Sequence, residues 1–369
     1  MVTYTSSQDA WNALRGARSA PPGLAVDLLP DGDCGPSRRE VFRAALEQAQ
    51  QFFQAADAVG PATQPLPLFY GLSQAGRAIA AAARSLPGEE WKLNTHGIST
   101  ENEAAPLLEV RSTTSRPDSR GSFTRLSRAL KSPVWWKPKQ KADGEGGEAR
   151  ERGDGAMAFA DLWTFLPVSR DIPLFDGAAE QLAPLIVDHR NLHPEPHLQG
   201  GIRIGGLPAR VLDAPDSEAA LDAYLARFPG TRGPDISWWP REGEQRLVRS
   251  YEREADGSGS MAVAFHAPDG RALTRDGYLD RLRPITRRHD GDWYFTPAIG
   301  ESTRGIHPLM AWWAVMHALS NLVRYQPAEW ARHIDVDESV HAVPIERLLV
   351  EARRVLPIVI AETLDEVAT

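Results

Sequence analysis

Three polar side chains stand in a segment that is otherwise dominated by apolar and small residues. Ser73, Gln74 and Arg77 lie within residues 67–84, where Gly and Ala are abundant. This composition predicts a helix that another helix can approach almost to its backbone. A polar group buried in such a place costs roughly 1–3 kcal/mol unless it finds a hydrogen-bond partner. The three residues therefore mark either a structural hydrogen-bond network or a ligand-binding site.

A second group of polar residues lies on a helix predicted over residues 308–325. His317 and Arg324 share a stripe beside an apolar one, and Ser73 and Arg77 share a face of the earlier helix. The two stripes predict a polar patch where the helices meet. Guanidinium groups match phosphate geometry, so one interpretation is an anion or nucleotide pocket around Arg77 and Arg324. The alternative is two structural arginines bound to helix C-termini or carboxylates.

Three histidines occur within nine residues of one short segment. His189, His193 and His197 are spaced by four, which on a helix would place them on one face, as zinc ligands are. Pro194 and Pro196 oppose a helix through the last of them. The segment is therefore predicted to be a solvated loop, and no metal site is predicted.

Two further motifs resemble catalytic or binding signatures only superficially. The glycine after Ser73 comes one residue too late for a serine-hydrolase elbow, and no β-run precedes the serine. The glycines of residues 200–206 match neither a phosphate loop nor a dinucleotide fingerprint, so they indicate a glycine-bounded strand. The Arg–His spacing of HEPN-type ribonucleases occurs at Arg190 and at Arg283, in both places within Pro-containing loops.

The elements that must position these residues change character along the chain. A capping box at Ser37 and Glu40 precedes an amphipathic helix, and the Ala-rich helix follows it. Residues 157–166 predict a short apolar helix, and a helix is predicted to start at about Asp216. Strands are predicted at 202–204, 209–212, 245–251, 261–266 and 293–296.

The predicted fold class is α+β and predominantly α-helical, with a helical core from the N- and C-terminal segments and a small mixed α/β insertion. Residues 1–136 are predicted to form the N-terminal helical part of the core, and residues 301–369 its C-terminal part. The predicted segments between them are a flexible loop at 137–156, a helical and loop connection at 157–197, and the α/β insertion at 198–300.

Composition limits the class of protein. The formal net charge of −8 argues against a general nucleic-acid-coating protein but allows a local basic groove. Cys34 is the only cysteine, which excludes an internal disulfide and a cysteine-based metal site. The N-terminus has neither the basic nor the apolar region of a signal peptide, and the apolar helix at 308–325 contains His317 and Arg324. A cytoplasmic protein without a membrane span is therefore predicted.

Several blocks of the sequence, in order along nearly the whole chain, resemble the YaaC-like bacterial proteins. These blocks are residues 68–79, Trp91 with His96-Gly97, Gly121-Ser122-Phe123, residues 319–327 with Trp330, and residues 353–360. The resemblance implies a cytoplasmic, mainly helical protein, and the family has no established activity.

The resemblance also directs attention to particular residues. Those matching the family's polar signature positions are Ser73, Gln74, Arg77, His96, Arg324 and Tyr325. The chain departs from the pattern at Gln326, where the family has His, and at Thr95, where Gly usually precedes His-Gly. If the family site used that missing histidine as an acid or base, this protein would bind without catalysing.

Three hypotheses of function follow. The first is a nucleotide- or RNA-phosphate-binding accessory factor, with ligand-binding residues Ser73, Gln74, Arg77, Arg324 and Tyr325 and no cofactor. The second is a HEPN-like RNA- or nucleotide-cleaving enzyme in phage defence or stress response, with His96 or His317 as general base. The third is a non-enzymatic scaffold whose Trp-rich surface recruits a protein partner.

Overall fold

The computed structural model divides the chain into two units, which are described separately. The helical unit comprises Tyr4–Trp163 with Leu309–Thr369, and the sheet unit comprises Met1–Thr3 with Thr164–Pro308. The structure describes residues 3–19, 38–136, 155–176, 182–188, 201–231, 252–255, 257–264, 279–280, 282–300 and 302–368.

Helices predominate among the described elements, and the predicted α+β class is confirmed. The helices are α1 (Ser7–Ser19), α2 (Arg38–Asp57), α3 (Pro65–Ala82), α4 (Ser122–Ala129), α5 (Phe159–Thr164), α6 (Ala209–Leu212), α7 (Ser217–Leu225), α8 (Pro308–Tyr325), α9 (Pro327–His333) and α10 (Ala342–Ala368). The strands are β1 (Ile98–Glu101), β2 (Arg111–Thr114), β3 (Ala156–Ala158), β4 (Leu185–Asp188), β5 (Gly201–Leu207), β6 (Glu252–Arg253), β7 (Gly259–Ala264), β8 (Arg287–His289) and β9 (Asp292–Phe295). Short 3₁₀ turns lie at Leu107–Glu109, Pro167–Arg170 and Pro229–Thr231.

The glycines of α3 let two other helices approach it closely. A Cβ atom added at Gly71 would lie 2.8 Å from Cδ2 of Phe53 on α2, and one added at Gly76 would lie 2.4 Å from Cζ3 of Trp313 on α8. No larger residue fits at either place without movement of the neighbouring ring. The close helix packing predicted from the Gly and Ala content is thus present on α3.

Helix α8 lies in the core of the helical unit. Leu309 to Leu322 are all buried, and Trp312 and Trp313 have no exposed surface. The tryptophans of this helix therefore form core and offer no surface to a protein partner. Among the helices of the described ranges, none is long and apolar enough to cross a membrane.

A small antiparallel sheet in the helical unit has the order β1-β2-β3. Ile98 pairs with Thr114, and Arg111 pairs with Ala158. The predicted helix at 157–166 is therefore wrong at its start, because residues 156–158 bond to β2 and α5 begins only at Phe159.

The sheet unit contains an antiparallel sheet of order β6-β7-β5-β4-β9-β8. Its strands confirm the predictions at 202–204 and 293–296, and Asp216 caps α7 by accepting a hydrogen bond from the amide of Ala219 at 3.0 Å. The strand predicted at 209–212 is wrong. These residues form α6, because the carbonyl of Pro208 accepts from the amides of the turn that follows it. The capping serine Ser37 and the predicted strand at 245–251 lie outside the described residues.

Candidate functional site

Arg77 lies on α3 and holds the loop that follows this helix. Its Nη1 donates to the carbonyl oxygen of Leu93 at 2.8 Å, and the side chain is half-buried. A guanidinium carries five N–H donors. In the described part of the chain Arg77 has no ion pair with a carboxylate, so most of its donors and its charge remain available.

Arg324 lies in the last turn of α8 and is oriented by two polar groups. Its Nη2 donates to Oδ1 of Asn321 at 2.6 Å, and its Nη1 donates to the hydroxyl of Tyr70 at 3.3 Å. The guanidinium carbon is 5.0 Å from the ring centroid of Tyr325. The buried Nε has no partner among the described residues. The fork is therefore positioned by neutral partners, and within the described ranges no carboxylate contacts it directly.

Two histidines stand near these arginines. The ring centroids of His96 and His317 are 5.9 Å apart, and Phe69 of α3 contacts both rings. Nδ1 of His317 is 3.3 Å from the hydroxyl of Thr100, and this hydroxyl accepts from Nδ2 of Asn321 at 2.9 Å. The hydroxyl of Thr100 thus links Asn321 of α8 to the ring of His317.

The protonation states of the two histidines follow from their surroundings. Burial, followed by the charges of His96 and Arg324, lowers the pKa of His317 to about 3. Partial burial also lowers the pKa of His96, and the positive charges of Arg324 and Arg77 lower it further. Both imidazoles are therefore neutral at physiological pH. Only His96 is exposed, so of the two predicted bases it is the one that a solvent-borne substrate can reach.

A glycine contact fixes the loop that carries His96. Gly97 has φ +73°, and a Cβ added at Gly121 would lie 2.3 Å from the Cα of Gly97. The amide of Ser122 donates to the carbonyl of Thr95 at 2.7 Å, and the amide of Phe123 donates to the carbonyl of His96 at 2.8 Å. The first amides of α4 therefore hold the backbone on both sides of the imidazole in one position.

The remaining predicted residues occupy two neighbouring stripes of α3. Ser73 lies between Phe69 and Arg77 at spacings of four, so it shares their face. Gln74 is four residues after Tyr70 and shares the stripe of that tyrosine. Both side chains are half-buried, and within the described ranges neither has a hydrogen bond to a protein group.

The sequence did not predict three residues that contribute to the site, Tyr70, Asn321 and Thr100. It also did not predict the acidic neighbour Glu103. Tyr70 and Asn321 could have been found from helical spacing, because each lies three or four residues from a predicted site residue. Thr100 has no comparable local signal, since it enters from β1. The carboxyl of Glu103 is near enough to interact with Arg324, whose charge opposes the rise in the pKa of Glu103 caused by burial.

Metal ligation has no support in the described ranges, where no group of three or more His, Cys, Asp or Glu residues could hold an ion. His189, His193 and His197 lie outside those ranges.

Comparison with known families gives one match. A family model described as YaaC-like Protein matches residues 35–198 and 222–364, which is most of the chain. The family predicted from the sequence blocks is thereby confirmed. No curated protein and no solved structure gives a significant match.

Proposed function

We propose that this chain, which belongs to the YaaC-like protein family, binds a phosphate-bearing ligand, a nucleotide or an RNA phosphate, between Arg77, His96 and Arg324. The observation that carries the proposal is that two arginines, each with unused donors, act with their charges on one exposed imidazole, whose pKa they lower in addition to the effect of burial. Guanidinium forks suit phosphate oxygens, and a bound phosphate would relieve the repulsion among three cationic or protonatable groups.

A structural role for these arginines would leave a different pattern, which Arg38 displays. Arg38 is buried, and its Nη2 donates to the carbonyls of Ala83 at 2.7 Å and Leu86 at 2.9 Å, just beyond the C-terminal end of α3. Its Nη2 group is used in closing a helix end. Arg77 uses one donor on a backbone carbonyl, and Arg324 uses two on the Asn321 amide oxygen and the Tyr70 hydroxyl, so the remaining donors of both arginines keep capacity for an external anion.

An RNA- or nucleotide-cleaving activity is the second candidate, and the position of His96 favours it. A neutral, exposed imidazole next to two guanidinium groups has the components of general-base catalysis at a phosphate ester: a proton acceptor and cations for the developing charge. His317 would act only by positioning, because its imidazole is buried out of reach of a substrate and its pKa of about 3 makes it a weak base.

Calorimetric titration with adenosine monophosphate tests the binding proposal. Charge-assisted hydrogen bonds contribute about 1.5–3 kcal/mol, so Arg324→Ala is expected to weaken binding by about 10- to 100-fold. Arg324→Lys keeps the charge but loses the fork, so its affinity is expected to lie between those of wild type and Arg324→Ala. The matched control is Arg332→Ala, since Arg332 is an exposed arginine of α9 paired with Glu329.

Two outcomes of these titrations would refute the binding proposal. Equal affinity of Arg324→Ala and wild type, with intact circular dichroism, would refute the proposed pocket. Failure of wild type to bind any nucleotide or short RNA would refute it as well. For the catalytic candidate, His96→Ala is expected to retain binding of a labelled RNA while losing its cleavage. An unchanged rate of cleavage would exclude His96 as the base.

A further inference from the structure

A polar cavity opens in the helical unit beside the loop that carries His96. This cleft has a volume of about 480 Å³. Four cationic side chains line it: Lys92, Arg120, Arg125 and Arg128. None of these residues belongs to the Arg77–His96–Arg324 pocket, and the sequence patterns gave no reason to select them.

The carboxylates that also line the cleft are already paired. Glu90 accepts from Arg128 at 2.6 Å, Asp118 pairs with Arg116 at 2.9 Å, and Glu89 pairs with Lys92. Because each acidic group has a basic partner, the carboxylates do not oppose an anion with unbalanced charge.

Two of the four lining cations, Arg120 and Arg125, are not used in these pairs. Nη1 of Arg125 donates to the carbonyls of Glu90 at 2.6 Å and Lys92 at 3.1 Å, which ties it to the wall of the cleft. Arg120 is exposed and has no ion pair within the described residues, while its charge acts on Arg125. An incoming phosphate would be the first anion to compensate Arg120.

The cleft and the candidate pocket are connected through one short piece of chain. Asn94 lines the cleft, and His96 is two residues further along. Consecutive Cα atoms are about 3.8 Å apart, so the backbones of these residues are separated by no more than roughly 7 Å. Stacked nucleotides of one strand advance by about 3.4 Å each, so a strand of a few nucleotides spans from one site to the other.

Exposed aromatic rings accompany the pocket. Tyr325 is 61% exposed and lies against the guanidinium of Arg324, and Tyr70 is 36% exposed at the same arginine. Nucleobases stack on such rings with about 1–3 kcal/mol per base, independently of sequence. Besides orienting Arg324, these rings therefore offer a surface on which a nucleobase can stack.

From these observations we infer that the ligand is single-stranded nucleic acid that runs from the Arg77–His96–Arg324 pocket into the cleft, where Arg120 binds a second phosphate. This inference rests on the proposed function and extends it from one phosphate to an oligonucleotide. A base of the strand stacks on Tyr325. The walls of paired charges and the two arginines without a carboxylate partner among the described residues, of which Arg125 is bound to carbonyls, suit a short strand better than a duplex, which would need a broad basic face.

The test compares adenosine monophosphate with 5′-phosphorylated tetraadenylate by fluorescence anisotropy competition. Wild type is expected to bind the tetranucleotide at least 10-fold more tightly. Arg120→Ala is expected to weaken binding of the tetranucleotide about 5- to 10-fold and leave the mononucleotide unchanged. One fewer phosphate contact should also reduce the slope of log K against log salt by about 0.7. Arg324→Ala should weaken both ligands, and Arg332→Ala neither.

Inorganic polyphosphate of matched charge serves as the control for stacking, because Tyr325→Ala should weaken the tetranucleotide and not the polyphosphate. If the tetranucleotide binds no more tightly than the mononucleotide, or Arg120→Ala weakens both equally, the extension of the binding site into the cleft is refuted while the phosphate pocket stands. If polyphosphate competes as well as the tetranucleotide, recognition of a nucleic acid is refuted. If wild type binds neither the mononucleotide nor the tetranucleotide, both the proposed function and the extension into the cleft are refuted.

Discussion

The buried imidazole of His317 makes the stability of the helical unit depend on pH. In the folded chain, burial and the charges of His96 and Arg324 lower the pKa of His317 to about 3, from an ordinary value of 6.5. Above pH 6.5 this group is neutral in both the folded and the unfolded chain and contributes no pH dependence. As the pH falls from 6.5 towards 3, the unfolded chain takes up a proton that the folded chain refuses, so the free energy of unfolding decreases.

The size of the effect follows from the shift. One unit of pKa corresponds to 1.36 kcal/mol, so His317 alone removes roughly 2 kcal/mol of stability between pH 7.5 and pH 5. The substitution His317→Asn removes the titrating group and keeps an oxygen that can accept the hydrogen bond of Thr100. Its cavity costs stability, but that cost does not vary with pH.

Urea unfolding followed by circular dichroism at 222 nm measures this effect for wild type and for His317→Asn. All other titrating groups are shared, so the difference in unfolding free energy between the two proteins isolates His317. We expect wild type to lose about 2 kcal/mol relative to the variant between pH 7.5 and pH 5. A difference that is the same at both pH values would refute a neutral, desolvated His317.

Two glycine substitutions test the packing that builds the site. Gly76→Ala gains roughly 0.5–1 kcal/mol of helix propensity but places a methyl group 2.4 Å from Trp313, so we expect the free energy of unfolding in urea to fall by about 1 kcal/mol. The control is Gly16→Ala on α1, where the added methyl group lies in open space and should stabilise the protein. A stabilised Gly76→Ala would contradict the close packing. Gly121→Ala forces apart the backbones that meet at Gly97, so it should weaken nucleotide binding while melting stays cooperative, and unchanged affinity would show that the histidine loop is not held by this contact.

Local patterns were sufficient for the long helices and for one helix cap. The apolar residues whose spacing predicts α2 and α8 are buried against neighbouring elements in the folded chain. Asp216 caps α7 because an Asp side chain meets the free amides of a first turn in any context. Residues 209–212 carry a strand-like composition, yet the turn set by Pro208 determines a helix there.

The candidate site could be predicted only in its helical parts. Arg77 and Arg324 were identifiable as polar residues on apolar helices, whereas their neighbours come from distant strands and loops. Thr100 bonds to Asn321 across 221 residues of chain. No periodicity within a window of the sequence carries that pairing, because it depends on how β1 is placed against α8.

The central claim is that a phosphate binds where Arg77 and Arg324 converge on His96, and the imidazole itself can report it. The most direct measurement is the pH titration of the His96 carbon-bound proton by NMR, with and without adenosine monophosphate. Without ligand, partial burial and the charges of Arg324 and Arg77 hold the pKa of His96 below its ordinary value. A bound phosphate dianion should raise that pKa in wild type and in Arg332→Ala, and much less in Arg324→Ala. An unchanged His96 titration at saturating nucleotide would contradict the account.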